Sequence, residues 1–258
     1  PVLLRDTVSS ISNQKIDYEL IIVDDCSAIP VTGFKGHKVI RNESRLGEAN
    51  SINIIYRECN TKYLTIVSDD DPQPSNWLAP LLQFAEQNPH FLVYFPRTHV
   101  RVDNEEYPLS TMPYSKRRLL GLLQMHMFAG CLLNVDLLRS KGVSELRKSV
   151  EYPSDFLQWL ELAYIGSFVF VPTSTAFWWK RNHQMSNTIP RDIKYRLFLI
   201  NVGQFVKNHP YRFQLIREGI TFFRALRHIV EINPKYKTNQ STLTLMNRFC
   251  EARLFFER

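Results

Sequence analysis

The sequence predicts an α/β fold: a mostly parallel sheet flanked by helices, with a helical C-terminal extension. Three observations predict it. Short apolar runs of β character alternate with stretches of helical periodicity over residues 1–100, the signature of a sheet covered on both faces. Two of those runs stop abruptly at clusters of aspartate. From about residue 191 to the end the periodicity is almost entirely helical, with arginines opposite the apolar positions.

Leu3, Leu4, Val8 and Ile11 recur at helical spacing and predict a helix over 3–13. Glu19-Leu20-Ile21-Ile22-Val23 reads as a strand, stopped by the polar turn Asp24-Asp25-Cys26-Ser27. Residues 37–41 are a second strand. A helix follows over 47–59, with Ala49, Ile52, Ile55 and Tyr56 on one side. Tyr63-Leu64-Thr65-Ile66-Val67 is a buried strand ended by Ser68-Asp69-Asp70-Asp71-Pro72. Ser75 reads as the N-cap of a helix over 75–87 with Trp77, Leu78, Leu81, Leu82 and Ala85 as its stripe. Residues 91–95 form a further strand, and 103–113 read as a polar loop. Beyond it come a helix over 116–127 and a strand over 128–135 leading to a short helix that stops at Gly142. A helix over 155–165 and a strand over 167–171 follow. There are no internal repeats.

Composition excludes several classes. With 44% hydrophobic and 12% aromatic residues in 258, the chain can bury a real core. No apolar run reaches the roughly 18 residues of a membrane-spanning helix. No basic segment precedes an apolar stretch at the N-terminus, so no secretion signal is expected. Cys26, Cys59, Cys131 and Cys250 form no CxxC pair and read as free thiols of a reducing cytosol. The net charge of +7 collects after Lys116. It is either a solvated helix face, the plainer reading, or an attraction for anionic partners. Ile216, Ile220, Phe223, Leu226 and Val230 make one apolar helix face, which either packs on the sheet or lies on a membrane surface. Basic residues are not interleaved with aromatics on a nucleic-acid motif, so no nucleic-acid partner is expected.

The chemistry sits in four clusters. Asp24-Asp25 and Asp69-Asp70-Asp71 both follow the carboxyl end of an apolar strand, where open parallel sheets bind ligands. Successive carboxylates repel, and a bound divalent cation relieves the repulsion. Hard oxygen ligands suit Mn²⁺ or Mg²⁺. Asp155, in Glu151-Tyr152-Pro153-Ser154-Asp155, is either a general base or an ordinary helix cap. In Trp178-Trp179-Lys180-Arg181-Asn182-His183, His183 could complete a metal shell, and Lys180 or Arg181 could pair with phosphate.

Taken in order, these motifs resemble family 2 glycosyltransferases of the GT-A fold. Tyr18 through Ser27 is similar to that family's nucleotide-base-binding strand. Arg41 through Gly47, followed by Asn53, is similar to the segment before the donor site. Tyr63 through Asp71, with Pro74 and Trp77-Leu78, resembles the strand bearing the DxD metal motif. Phe128-Ala129-Gly130-Cys131 through Gly142 resembles the segment lining donor sugar and acceptor. Ser154-Asp155 stands where the family usually has Glu-Asp, and Arg181-x-His183-x-x-Ser186 resembles a late motif whose histidine reaches the metal.

The resemblance covers residues 1–190, the expected catalytic domain of GT-A-type, Rossmann-like build, and leaves 191–258 as a basic helical extension. It implies inverting, metal-assisted transfer from a nucleotide-sugar donor, UDP-linked by family frequency, to a hydroxyl of a glycan or lipid-linked acceptor. Asp24, Asp25, Arg45, Asn53, Asp69 and Asp70 would hold the donor. Asp69, Asp71 and His183 would hold Mn²⁺ or Mg²⁺, and Asp155 would be the base. A cytoplasmic enzyme, in peripheral contact with the membrane through its basic C-terminal helices, is the expected setting. The resemblance also implies a strand ahead of the first helix, whereas the chain opens at Pro1, already in that helix. An empty position within the sheet is therefore expected. The rival readings are a sugar nucleotidyltransferase, for which no Gly-rich triphosphate loop is visible, and a catalytically silent binding domain of the same fold.

Overall fold

Along β1 (Ile21–Asp24), Ile22 and Asp24 are buried while Ile21 and Val23 are partly exposed. That period of two is what a strand with one covered face produces. β1 pairs in parallel with β2 (Lys38–Arg41), Asp24 opposite Arg41. The structure is a computed structural model describing residues 2–102, 105–110, 130–147, 154–181 and 201. All of them belong to one compact unit, Pro1–Tyr114 with His126–Val202. The helix expected over 116–127 lies outside the described residues. So do Glu151 to Pro153, Asn182, His183 and, Asn201 apart, the 191–258 extension.

The remaining elements are α1 (Val2–Ser12), α2 (Glu48–Glu58), β3 (Tyr63–Thr65), α3 (Leu78–Gln87), β4 (Val93–Val102), β5 (Glu105–Ser110), β6 (Leu132–Asn134), α4 (Val135–Ser140), α5 (Ser154–Ile165) and β7 (Phe168–Trp179). The α/β class and the flanking helices are as expected. β4 and β7 form the longest ladder, and it is parallel, as is β1 with β2. β6 runs antiparallel between β3 and β4.

Two elements depart from the sequence reading. The segment expected as a loop over 103–113 contains β5, antiparallel to β4. Val100 faces Tyr107 across this hairpin, and on its other face Glu106 pairs with His99 and Arg101. Ser75 does not cap α3, which starts three residues later at Leu78 with no side-chain cap from its own N-cap, Trp77. Gln14, at the end of α1, supplies the acceptor instead. Its Oε1 accepts from the Leu78 N–H at 3.0 Å, while its Nε2 donates to the Pro74 carbonyl at 2.9 Å. A residue from beyond another helix thus satisfies the orphan donor that a local cap would take.

The core gathers Ile11, Trp77, Leu78, Leu81, Ala85, Tyr94, Leu132, Val171 and Ala176. Trp159 of α5 packs its ring against Phe95 and Phe168. Gly130 is held close to this core. Its φ is +79°, a Cβ there would lie 2.3 Å from that of Ala176, and its carbonyl accepts from Trp77 Nε1 at 2.9 Å. Only glycine meets both demands.

Between β1 and β3 lies a cavity of about 530 Å³. The stretches 16–25 and 61–69 form its two sides. Leu4, Val8 and Ile11 of α1 and Ser51, Ile52 and Ile55 of α2 also line it. β1 and β3, which flank it, are not paired with each other.

Candidate functional site

The cavity reaches both acidic turns. Asp24 and Asp25 border it from the end of β1, and Ser68 and Asp69 from the end of β3. Strand alternation gives the two neighbouring aspartates opposite fates. Asp24 continues the inward face of β1, and its side chain has no exposure. Its Oδ1 accepts from the Ser27 N–H at 2.9 Å, and its Oδ2 from the Val31 N–H at 3.1 Å and from Arg41. Burial alone would raise its pKa, but these donors hold it far below the usual carboxylate range. Asp24, expected among the donor-binding residues, is committed to closing its own loop.

Asp25 leaves the strand on the other side and is partly exposed. Its Oδ1 accepts from Asn42 Nδ2 and the Leu46 N–H, and its Oδ2 from the Gly47 N–H, each at 2.8 Å. Burial opposes these bonds, yet with the exposed Arg45 nearby they lower its pKa. The result is a fixed carboxylate at the cavity mouth. Cys26 beside it adopts φ +58°, which turns the chain away from the strand.

At the end of β3 the three aspartates diverge. Asp69 is on the exposed side, and its main chain is held by Thr7 Oγ1, which donates to the Asp69 carbonyl at 3.0 Å. The Asp70 carbonyl accepts from Arg181 Nε at 3.3 Å and Nη2 at 3.2 Å. Asp71 is only 2% exposed, and its Oδ1 accepts from the Trp179 N–H at 2.8 Å. Burial pushes the Asp71 carboxyl up to about 7; the Trp179 N–H opposes this, and Asp70 and Asp69 add repulsion. Asp69 is likewise raised by desolvation and by Asp70. Arg181 thus grips the main chain of the acidic turn and lies over the Trp179 ring at 5.0 Å.

Asp155 stands in the first turn of α5. Its Oδ1 accepts from the Phe156 N–H at 2.8 Å. Burial raises its pKa; Arg147 opposes the rise and Glu48 adds to it. Asn53, expected to touch the donor, is buried and used by the fold. Its Nδ2 donates to the Arg147 carbonyl at 2.7 Å, and its Oδ1 accepts from the Arg147 N–H at 2.9 Å. A buried amide on a helix seeks main-chain partners, and here the segment after α4 supplies them. Sequence reasoning missed Arg147 and Glu48, and no local signal marks Arg147, which sits in no periodic element.

The structure therefore brings Asp25 and Asp69 to one cavity. It sets Asp71 against β7 and Asp155 at the start of α5. Among the described residues no three His, Cys, Asp or Glu side chains form a metal-binding group. The expected third ligand, His183, lies outside the described residues.

Comparison with known proteins follows the same lines. The family described as Glycosyl transferase family 2 matches residues 1–135. A Haemophilus influenzae protein described as an uncharacterized glycosyltransferase is 30% identical over 123 residues, 46% of this chain and 41% of that protein. The chain thus spans less than half the length of this relative. S. aureus TarS 1–349 in complex with UDP-GlcNAc superposes with a TM-score of 0.65 at 13% identity, covering 85% of this chain and 67% of that one. The same protein in complex with UDP gives 0.62 at 12% identity, covering 92% and 72%. At such identities the likeness is one of fold.

Proposed function

Because the chain belongs to glycosyl transferase family 2, we propose that it transfers a sugar, with inversion, from a UDP-sugar to a hydroxyl of a glycan or lipid-linked acceptor. The observation that carries this reading is the placing of Asp25 and Asp69 at the carboxyl ends of β1 and β3, on one side of the molecule. Such strand ends are where α/β sheets bind nucleotides. Asp25, Arg45, Asp69 and Asp70 are the donor-binding residues of this proposal. UDP is favoured because TarS, of like fold, was solved with UDP-GlcNAc and with UDP.

A divalent ion at the acidic turn is part of this proposal. Asp71 is buried, and burial with the charges of Asp70 and Asp69 raises its pKa to about 7. A cation held by hard oxygen ligands would restore its charge. Asp69 and Asp71 would hold Mn²⁺ or Mg²⁺, with His183 as a further ligand. When bound, the ion would offset the negative charge gathering on the leaving diphosphate. Lys180 or Arg181, which follow β7, would pair with the phosphates.

Asp155 is the general base of the proposal. The acceptor oxygen attacks the anomeric carbon as the bond from that carbon to the diphosphate oxygen breaks. Asp155 takes the hydroxyl proton. The raised pKa that burial gives it makes it a better proton acceptor than a solvated carboxylate. The setting proposed is the cytoplasmic face of a membrane. No helix among the described residues is long and apolar enough to cross one, and the proposed contact runs through the basic C-terminal region.

Incubation with Mn²⁺ and a panel of UDP- and GDP-sugars tests this. Slow release of UDP in the absence of acceptor is expected. Release of pyrophosphate from a nucleoside triphosphate and a sugar phosphate would mark a nucleotidyltransferase instead. Absence of both turnover and nucleotide binding would mark a silent domain.

A further inference from the structure

A buried arginine joins the two halves of the proposed site. The side chain of Arg147 is 2% exposed, and its Nη1 lies 3.2 Å from Glu48 Oε2. Its Nε donates to Gln158 Oε1 at 3.3 Å. The two bonds between its main chain and Asn53 leave the residue no freedom to slide along α2. A buried guanidinium is costly unless paired. The fold therefore fixes this cation between the first residue of α2 and the first turns of α5.

Both ends of that bridge lead to the site. Glu48 directly follows Gly47, whose N–H donates to Asp25 Oδ2. Gln158 lies one helical turn after Asp155. Among the described residues, the charged groups acting on Asp155 are Arg147, from the segment after α4, and Glu48, from α2. No bond-making or bond-breaking step is assigned to Arg147 by the transfer reaction, yet it stands where donor-side loop and base meet.

We propose that Arg147 is a positioning residue for transfer, fixing the first turns of α5, which carry Asp155, to Glu48 and through it to the turn that Asp25 anchors. The proposal rests on Asp155 being the base. Arg147 favours the ionised form of Asp155, and Glu48 tempers that effect. The two should move the acid limb of the pH–rate profile in opposite directions. Arg is suited to this task because its fork serves several partners at once and it stays charged throughout the working range.

The test uses UDP-GlcNAc hydrolysis with Mn²⁺, measured as UDP release from about pH 5 to about pH 9, alongside UDP binding. In Arg147→Met the acid limb should move to higher pH, so that the rate at the acid end of the range falls further below the rate at about pH 8. UDP affinity should stay within roughly twofold. Arg147→Lys should restore the limb in part. Glu48 is exposed on its side chain, at 55%, so Glu48→Gln leaves the core intact even if Arg147→Met folds poorly. It should move the limb to lower pH. Coincident limbs in wild type, Arg147→Lys and Glu48→Gln, with Asp155→Asn inactive, would overturn the role of Arg147 alone. An active Asp155→Asn would overturn the base assignment beneath it.

Discussion

The main-chain N–H of Trp179 donates to Oδ1 of Asp71 at 2.8 Å, across 108 positions of sequence. This bond fastens the acidic turn after β3 to the end of β7. It also buries the Asp71 carboxyl, and that burial, with the charges of Asp70 and Asp69, disfavours its ionised form.

Asp71→Asn separates these effects. The amide keeps an acceptor for Trp179 and drops the charge. A carboxyl whose folded pKa is raised to about 7 disfavours the folded state above its unfolded range of about 4, and the penalty grows until pH passes 7. In metal-free protein, the Asp71→Asn variant should therefore be more stable than wild type by on the order of 2 kcal/mol near pH 8, and no more stable near pH 4. Denaturant unfolding at the two pH values measures this. The same variant should lose Mn²⁺-dependent UDP binding by calorimetry. Stability equal to wild type at both pH values, with metal-dependent binding intact, would remove Asp71 from the site.

Asp155→Asn should leave UDP affinity unchanged and lower turnover by about 10²–10⁴-fold, the usual worth of a general base. Its raised pKa places the acid limb of the wild-type profile above that of an ordinary aspartate. Unchanged turnover would reduce Asp155 to a helix cap, the role its bond to the Phe156 N–H also allows.

Asp24 tests the opposite sign. Its pKa is lowered in the fold, so its contribution is present above the unfolded carboxylate range, about 4, and is lost as pH falls from there toward the much lower folded value. Asp24→Ala should cost about 2–4 kcal/mol near neutrality, because Arg41 and two N–H groups lose their acceptor. The difference from wild type should shrink steadily in acid, as followed by urea midpoints. A constant difference would mean that packing, not charge, holds the loop.

Much of this was legible in the sequence because burial imposes period. Ile22 and Asp24 share one face of β1, and Ala49, Ile52 and Tyr56 one face of α2. That same alternation could have separated Asp24 from Asp25: the residue in phase with Ile22 turns inward. Other features carry no local signal. β5 is placed by its backbone ladder with β4, while its Glu105-Glu106 start reads as loop. Gln14 caps a helix 64 positions away. Asn53 and Arg147 are 94 positions apart, and nothing near either residue announces the other. Long-range polar pairing is set by the tertiary fold, and periodicity does not record it.

Gly130 supplies the last prediction. The segment containing it resembles the part of the family that lines donor sugar and acceptor, so loss of activity on substitution could be read as lost substrate contact. The geometry favours packing. A Cβ would lie 2.3 Å from the Ala176 Cβ and 2.9 Å from Trp77 Nε1, at φ +79°. Gly130→Ala should therefore cost about 3 kcal/mol or more, from left-handed strain and overpacking together. Ala176→Gly relieves the closer clash and leaves the strain. The double variant should recover part of the loss, a coupling of about 1 kcal/mol in a double-mutant cycle. If the two substitutions are additive, β7 is not what confines Gly130, and a contact with substrate becomes the better account of any lost activity.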